Sequence, residues 1–553
     1  MSRLGEWLLE VITPYPRLAG FLFYVRNPHV FVAKALRVLR RARRARTCRA
    51  LLDGGKLIVE VGPAGRTLFT IATPVWRVAE EHLRAAIDSV RRQSYPHWEL
   101  WLADDASPDP HVRRVLALEA RRDPRIKTLH LPDNLGIAGA SDAILARATG
   151  EYVGFLDHDD LLHPRALELV SAHLANHPEV DWVFTDEDKV DERGRHREPC
   201  LKPGWSRHLL LTFNYVAHFR VVRRAMLERV GGHRRGFDGA QDYDLALRVL
   251  AAGGRFSHLR GVLYHWRVVP GSMARAAADK PAAHSHALQA LSQHAATWPS
   301  GGPITASVLL APASFFRVRR AAPEQLEVSL LTDGAAPLPA GRRTREVVAL
   351  PRRASLHAVL AAVERAAAPV VVRWPHGAPT DAELAELLAL LQVPQTAVVA
   401  PRLVNGARVA ASGWWLRDSA PPAGGRRAPT SSNSLVAAPP AAELEDPWRS
   451  LRLQDPGYLN LALVPGPRLA PPDGAWAAWR GAYLRAWEAG AGAPDDWRVP
   501  LGLARAGLEV IVTPTVSVSG EATAPPAGEV PTELPRHGTC WLHQLGVADA
   551  GHW

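Results

Sequence analysis

The chain has 553 residues, 47% of them apolar, and a formal charge of +11, enough for two or three domains with real cores. Its three cysteines, Cys48, Cys200 and Cys540, lie too far apart for a zinc spacing or a disulfide framework and fit a reducing compartment. No 18-residue apolar run marks a membrane span, the opening residues lack a signal peptide's order, and the basic excess favours an anionic partner without naming one.

Residues 1–66 read as a basic amphipathic N-terminal region. Two apolar patches, Trp7–Ile12 and Leu18–Val25, flank Pro14 and Pro16. Lys34, Arg37, Arg40, Arg41, Arg43, Arg44, Arg46 and Arg49 follow, with Val32, Leu36, Leu39 and Ala42 spaced for one apolar stripe. Such a helix, residues 34–49, suits an anionic membrane surface at roughly 1 kcal/mol per basic residue. It equally suits a solvated helix packed on its own domain. No aromatic platform interleaves the arginines, so no specific nucleic acid is expected.

From Leu68 the texture changes. Leu68–Thr73 predicts a strand halted by Pro74, Val78–Gln93 a helix, and Trp98–Ala103 a second strand ending in Asp104-Asp105. Val112–Ala120 reads as a helix and Ile126–Leu131 as a third strand. Asn134-Leu135-Gly136 then opens a helix that Gly150 closes. This alternation predicts a doubly wound, largely parallel α/β sheet whose crossovers gather Thr73, Asp104 and Asp157 at one edge. The fourth strand, Tyr152–Leu156, ends abruptly in Asp157, Asp159 and Asp160, where open α/β sheets bind ligands. Carboxylates at i and i+2 can face one hard divalent cation such as Mg²⁺ or Mn²⁺, with phosphate oxygens completing its shell. The plainer alternative is a solvated acidic turn.

Eight ordered blocks narrow the choice: T-P-V-W (Thr73–Trp76), S-V-R-R-Q-S-Y-P-H-W-E-L (Ser89–Leu100), A-D-D-A-S-P-D (Ala103–Asp109), N-L-G-I-A-G-A-S (Asn134–Ser141), A-T-G-E-Y-V-G-F-L-D-H-D-D (Ala148–Asp160), T-D-E-D-K-V-D (Thr185–Asp191), G-A-Q-D-Y-D-L (Gly239–Leu245) and L-Y-H-W-R-V-V-P-G-S (Leu263–Ser272). With them, residues 67–275 resemble an inverting family-2 glycosyltransferase of GT-A fold, of the type that builds O-antigen and other bacterial surface polysaccharides. The family usually carries Tyr-Asn or Tyr-Glu in place of Trp76-Arg77, and often Asn in place of Asp142.

The resemblance implies a nucleotide-sugar donor, a glycan or lipid-linked acceptor, and a divalent cation on Asp157 and Asp159 acting on the departing diphosphate. Asp159 is the expected direct ligand, and Asp160 shapes the turn. Thr73, Pro74 and Val75, with Asp104 or Asp105, are implied around the base and ribose; for the acid pair the alternative is an Asx turn. Asp242 is implied as general base, with a helix N-cap as the alternative. Its place at the start of a helix favours an ionised carboxylate, and Asp244 is then free to cap that helix. His265 is implied as a third metal ligand or a diphosphate contact, with a structural histidine as the alternative, and Arg267 as a bidentate grip on the diphosphate. Glu187, Asp188, Trp205 and His218 are either acceptor-side or structural.

The second half starts after a helical linker, 276–323. Residues 324–520 read as a degenerate transferase-like α/β domain. Pro369–Arg373 stands where Tyr152–Leu156 stands in the first half, and Thr396–Leu403, Gly413-Trp414-Trp415, Asp495-Asp496-Trp497 and Val510–Pro514 follow in parallel order. Trp374-Pro375-His376-Gly377 falls where the acids should be, and Thr332-Asp333-Gly334 lacks the Pro-rich nucleotide turn. Pro421–Ala442 reads as a loop and 521–553 as a tail. The whole reading places the protein in the cytoplasm, peripheral at the inner face of the membrane. One rival is a nucleotidyltransferase, which needs a Gly-rich basic phosphate loop that Thr73–Trp76 is not. The other is a non-catalytic glycan-binding scaffold, against which the intact Asp157, Asp159 and Asp242 stand.

Overall fold

The computed structural model describes residues 63–268 save 201 and 203, then 281–298, 302–310, 315–333, 343–351, 356–374 and 378–405, and separate elements as far as 519. The basic stretch 34–49, the Asp495–Trp497 motif and the tail lie outside the described residues. Among the described residues, no helix is long and apolar enough to cross a membrane.

The first half alternates as its sequence predicts: β1 (Phe69–Val75), α1 (Glu80–Arg91), β2 (Trp98–Asp104), α2 (Pro110–Arg122), β3 (Ile126–His130), α3 (Gly136–Leu145) and β4 (Tyr152–Phe155). Then come β5 (Leu161–Leu162), α4 (Ala166–Asn176), β6 (Trp182–Val190), β7 (His196–Cys200), α5 (Arg207–Leu210), β8 (Arg220–Arg223), α6 (Arg224–Val230), α7 (Gln241–Ala251) and β9 (Phe256–Arg267). The strands form one sheet in the order β3-β2-β1-β4-β8-β6-β9-β5, with β7 on the side of β6. β1 to β4 are parallel, and β8 inserts antiparallel between β4 and β6.

Each helix has a local cause. In α1, Leu83, Ala86, Ile87 and Val90 share the buried face, while Glu80, Glu81 and Arg91 sit at the ends that suit the helix dipole. α2 starts on Pro110, whose missing N–H costs nothing there. Two apolar clusters cover the two faces of the sheet. One packs Leu83, Val115 and Val170, the other Ile144, Leu227 and Leu245.

Two predicted boundaries move. β1 does not stop at Pro74 but runs through it to Val75. β4 ends opposite Ala72, so beyond that point β1 has a neighbour only in β2, and a residue without an N–H is tolerated. Among the described residues of 276–323, only α8 (Pro281–Ala296) is helical; β10 (Ile304–Leu310) and β11 (Phe315–Arg320) form an antiparallel hairpin. α8 is no mere linker. Its Ala287, Ala290 and Leu291 are buried with Leu245 and Val249 in the first domain's core, which so extends past residue 275.

The rest comprises β12 (Val328–Asp333), β13 (Thr344–Leu350), α9 (Leu356–Arg365), β14 (Val370–Arg373), α10 (Asp381–Leu391), β15 (Thr396–Asn405), β16 (Arg408–Ala411), β17 (Trp414–Leu416), β18 (Leu435–Ala437), β19 (Gly466–Pro467), β20 (Trp476–Trp479), α11 (Arg480–Ala489) and β21 (Glu509–Ser519). The run β13-β12-β14-β20-β15-β21 repeats β2-β1-β4-β8-β6-β9 strand for strand, with the same parallel and antiparallel senses. β16 hangs on β15 as β7 does on β6.

One side-chain network is also common to both sheets. Thr70 Oγ1 donates to Glu99 at 2.6 Å and accepts from Gly150 N at 2.9 Å, while Glu99 accepts from Thr149 N at 2.7 Å. In the second sheet Ser329 Oγ donates to Glu346 at 2.5 Å and accepts from Ala368 N at 3.0 Å, and Glu346 accepts from Ala367 N at 2.6 Å. Gly150 is needed there because a Cβ would stand 2.4 Å from Thr70 N.

Burial raises the Glu99 carboxyl, but Lys127, Thr70 and Thr149 outweigh it and hold the group at about 2, against 4.5 for a free glutamate. A depressed carboxyl stabilises the fold above the unfolded value and loses that contribution as pH falls towards 2. Glu99→Gln is therefore expected to cost about 2–3 kcal/mol at pH 7 and progressively less between pH 4.5 and 2. Urea midpoints measured across that range check it. An equal loss at every pH would make the role one of packing alone.

Candidate active site

β4 delivers its acids into a turn that β9 holds. Asp160 is buried, accepting from Tyr264 Oη at 2.5 Å and from Arg267 N at 2.7 Å. Arg267 Nε donates to the Asp159 carbonyl at 2.7 Å, and Asp157 N donates to Tyr264 Oη at 3.3 Å. Asp160 is thus the anchor of the turn. Burial, then the charges of Asp157 and Asp159, push its carboxyl well above the usual range. Asp157 and Asp159 are half-buried, and among the described residues neither carboxylate has a hydrogen-bond or ion-pair partner. Two unpaired carboxylates beside a third fit a divalent cation, which would relieve their mutual repulsion.

The structure takes His265 into a cluster beside this turn. The residue pairs with Leu161 of β5, immediately after the acids, and its Nδ1 bonds Asp188 at 2.7 Å. The other oxygen of Asp188 bonds His196 Nδ1 at 2.8 Å. Asp188, His196 and His265 each bring a ligand-type atom within 4.8 Å of the others. Burial raises the Asp188 carboxyl, but the two histidines outweigh it and leave it lowered. A carboxylate on Nδ1 fixes an imidazole's tautomer and orientation, the usual support for a metal-binding histidine. Nothing in the sequence singled out His196, and Asp188 read only as acceptor-side or structural.

At the other side of β4, Val75 lies in register with Asp104, so Thr73, Pro74 and Val75 share one sheet edge with the acid pair. Asp104 is fully buried and accepts from Ser107 N at 2.9 Å, the Asx-type turn that was the alternative reading. Burial raises its carboxyl, but Ser107, His130 and Arg113 outweigh it and hold it low. Asp105 accepts from Leu135 N at 2.7 Å and so fixes the loop ahead of α3; burial dominates there and raises its carboxyl. His158 Nδ1 bonds the Pro74 carbonyl at 3.0 Å, tying the acid turn to β1.

Asp242 is the second residue of α7, and its Oδ1 accepts from Tyr243 N at 2.8 Å. Asp244 does not cap the helix. It is buried and bound by Arg234 and Arg248, and the N-cap is Ala240. One pocket joins Pro74, Ser141, Asp157, Arg220, His233 and Gln241. It spans from the end of β1 to the residue before Asp242. Asp142, the family's frequent Asn, accepts from His233 N at 2.8 Å and meets its Nδ1 at 3.1 Å. Of the remaining residues, Glu187 pairs with Lys202 at 2.9 Å, Trp205 stacks on Phe256 at 4.2 Å and His218 on Tyr264 at 4.8 Å.

The sequence profile of glycosyl transferase family 2 matches residues 70–231, which hold β1 to β8 and the acid turn but stop short of Asp242 and His265. The O-antigen biosynthesis protein RfbC of Myxococcus xanthus is 40% identical over 240 residues, 43% of this chain and 19% of that protein. EpsE of Bacillus subtilis, a glycosyltransferase by name, is 34% identical over 195 residues, 34% of this chain and 69% of EpsE. The chain thus spans a fifth to a quarter of the curated relatives matched at 40% identity and above. A crystal structure of S. aureus TarS residues 1-349 in complex with UDP superposes with a TM-score of 0.34 at 19% identity, over 41% of this chain and 65% of that one.

Proposed function

The chain belongs to glycosyl transferase family 2 and carries that family's GT-A α/β sheet, and from this premise we propose that it is a metal-dependent inverting glycosyltransferase. It moves a sugar from a nucleotide-sugar donor to a growing cell-surface polysaccharide or lipid-linked glycan. One observation carries the reading. Two unpartnered carboxylates, Asp157 and Asp159, stand just past the end of β4, and Asp157 lines a pocket that reaches Gln241, the neighbour of Asp242.

In this reading Asp157 and Asp159 hold the cation, with His265 beside them. When bound, the cation supplies Lewis-acid stabilisation of the departing diphosphate. Asp242 takes the proton of the acceptor hydroxyl, whose oxygen attacks the anomeric carbon from the face opposite the leaving group. Arg267 and Asp160 keep the acid turn in place. Thr73, Pro74 and Val75, with Asp104 and Asp105, form the nucleotide end.

Residues 324–520 are, in the same proposal, a degenerate copy of the first domain. The repeated strand order and the shared Thr70–Glu99 and Ser329–Glu346 networks support it. Leu156 N bonds Ala72 O at 3.1 Å as Trp374 N bonds Leu331 O at 2.8 Å, so Pro375, His376 and Gly377 follow where the acids follow Leu156. The register partners Asp188 and His265 have Val404 and Ser519 as their counterparts.

The test is donor turnover and calorimetry on the full chain with UDP-, dTDP- and GDP-sugars. One donor is expected to turn over with Mg²⁺ or Mn²⁺, to stop with EDTA, and to bind with one site per chain. Two donor sites would sink the degenerate copy. No binding by any donor would sink the transferase.

A further inference from the structure

Arg220 opens β8 and is 5% exposed. Its guanidinium carbon lies 4.7 Å from the Phe155 ring centroid, and it lines the pocket between Asp157 and Gln241. Among the described residues it has no hydrogen-bond or ion-pair partner, and its Nε is fully enclosed without one. Asp157 faces the same pocket and Asp142 is committed to His233; neither pairs with Arg220. Gln241 Oε1 is a second buried polar atom on this pocket that lacks a partner. The His233 imidazole is neutral or cationic and so brings no counter-charge; burial and then the Arg220 charge push it down.

A guanidinium removed from water is stabilised in part by an aromatic face, but an unpaired buried cation remains expensive. An anion accepted bidentately is the ligand that removes that cost. Neutral hydroxyls would accept hydrogen bonds and leave the charge uncompensated.

Position says which anion. On the reading proposed above, the nucleotide lies towards Pro74, the diphosphate on Asp157 and Asp159, and the reacting acceptor oxygen at Asp242. What fills the pocket bounded by all three is the sugar ring being transferred. We propose that Arg220 is a specificity-determining residue that selects a donor whose sugar carries a carboxylate, a nucleoside-diphosphate hexuronic acid. A hexose with a hydroxymethyl group in that place is discriminated against.

The experiment uses matched donors that differ only in that group: UDP-glucose against UDP-glucuronate, UDP-galactose against UDP-galacturonate, and GDP-mannose against GDP-mannuronate, by calorimetry on the full chain with Mn²⁺. The uronate member of one pair is expected to bind about 10-fold tighter or more. Arg220→Met erases the difference while affinity for the bare nucleoside diphosphate stays, which also reports that the variant is folded. Arg220→Lys keeps part of it.

Three outcomes overturn the inference. Equal affinities within every pair in the wild type would do so. So would a loss in Arg220→Met shared equally by uronate, neutral donor and bare diphosphate, which would place the guanidinium on the phosphates. If no nucleotide or nucleotide-sugar binds, the transferase reading falls with it, whereas the first of these outcomes, neutral donors bound as tightly as their uronates, overturns the uronate alone.

Discussion

Asp242→Asn is expected to lower sugar transfer by about 10²–10⁴-fold while leaving donor affinity and stability where they were. The expectation rests on what the carboxylate is not doing. It does not cap α7, because Ala240 occupies that place and no side chain bonds into it. Its one internal bond, from Tyr243 N at 2.8 Å, uses a single oxygen that an asparagine carbonyl replaces. What the substitution removes is the basic oxygen, which is left over for an acceptor hydroxyl.

Asp244 gives the contrast two residues on. It is buried against Arg234 and Arg248, so neutralising it would strand two guanidinium groups and lower stability before chemistry. Single-turnover rates at saturating donor, with calorimetric affinity beside them, separate the two. Transfer by Asp242→Asn within tenfold of wild type would make Asp242 a structural acid and move the base elsewhere.

How far the sequence carried the fold depended on whether a feature was local. The strand Tyr152–Phe155 and its acids lie within ten residues, and so do the Asp242 motif and the start of α7; each was legible from pattern alone. The pairing of Asp188 with His265 was not. It needs β6 and β9 in parallel register with two shifts in it, and no composition rule places those. Nothing in the sequence singled out Arg220. Its burial follows from β8 slipping between β4 and β6, a tertiary fact. Pro74 misled for the same reason, since its tolerance depends on where β4 happens to end. In the second half β12, β14, β15 and β21 were legible, β13 and β20 were not, and the acids were visibly absent. The Ser329–Glu346 network, which matches Thr70–Glu99 across the two sheets, joins a hydroxyl and a glutamate that lie 17 residues apart in one sheet and 29 in the other, so only strand pairing brings them together.

Asp159→Ala is expected to abolish transfer, by about 10³-fold or more, and yet to leave the metal-free protein as stable as before or slightly more so. The two halves of that expectation have one cause. Asp157, Asp159 and Asp160 crowd a single turn, and only Asp160 is given donors, Tyr264 Oη and Arg267 N. Burial first, and then the charges of Asp157 and Asp159, raise the Asp160 carboxyl. Removing Asp159 therefore removes a repulsion that the metal-free fold carries, and the Arg267 bond to residue 159 survives because it reaches a backbone carbonyl. A structural acid would behave the opposite way, since its loss would lower stability with or without metal. Thermal unfolding resolves the question. Mn²⁺ at 100 times its dissociation constant should stabilise the wild type by about 2.7 kcal/mol and the variant by little. In EDTA the two should melt together or the variant higher. A variant that melts well below wild type in EDTA would mean that Asp159 holds the turn, and the cation site would then have to be sought at Asp188, His196 and His265 alone.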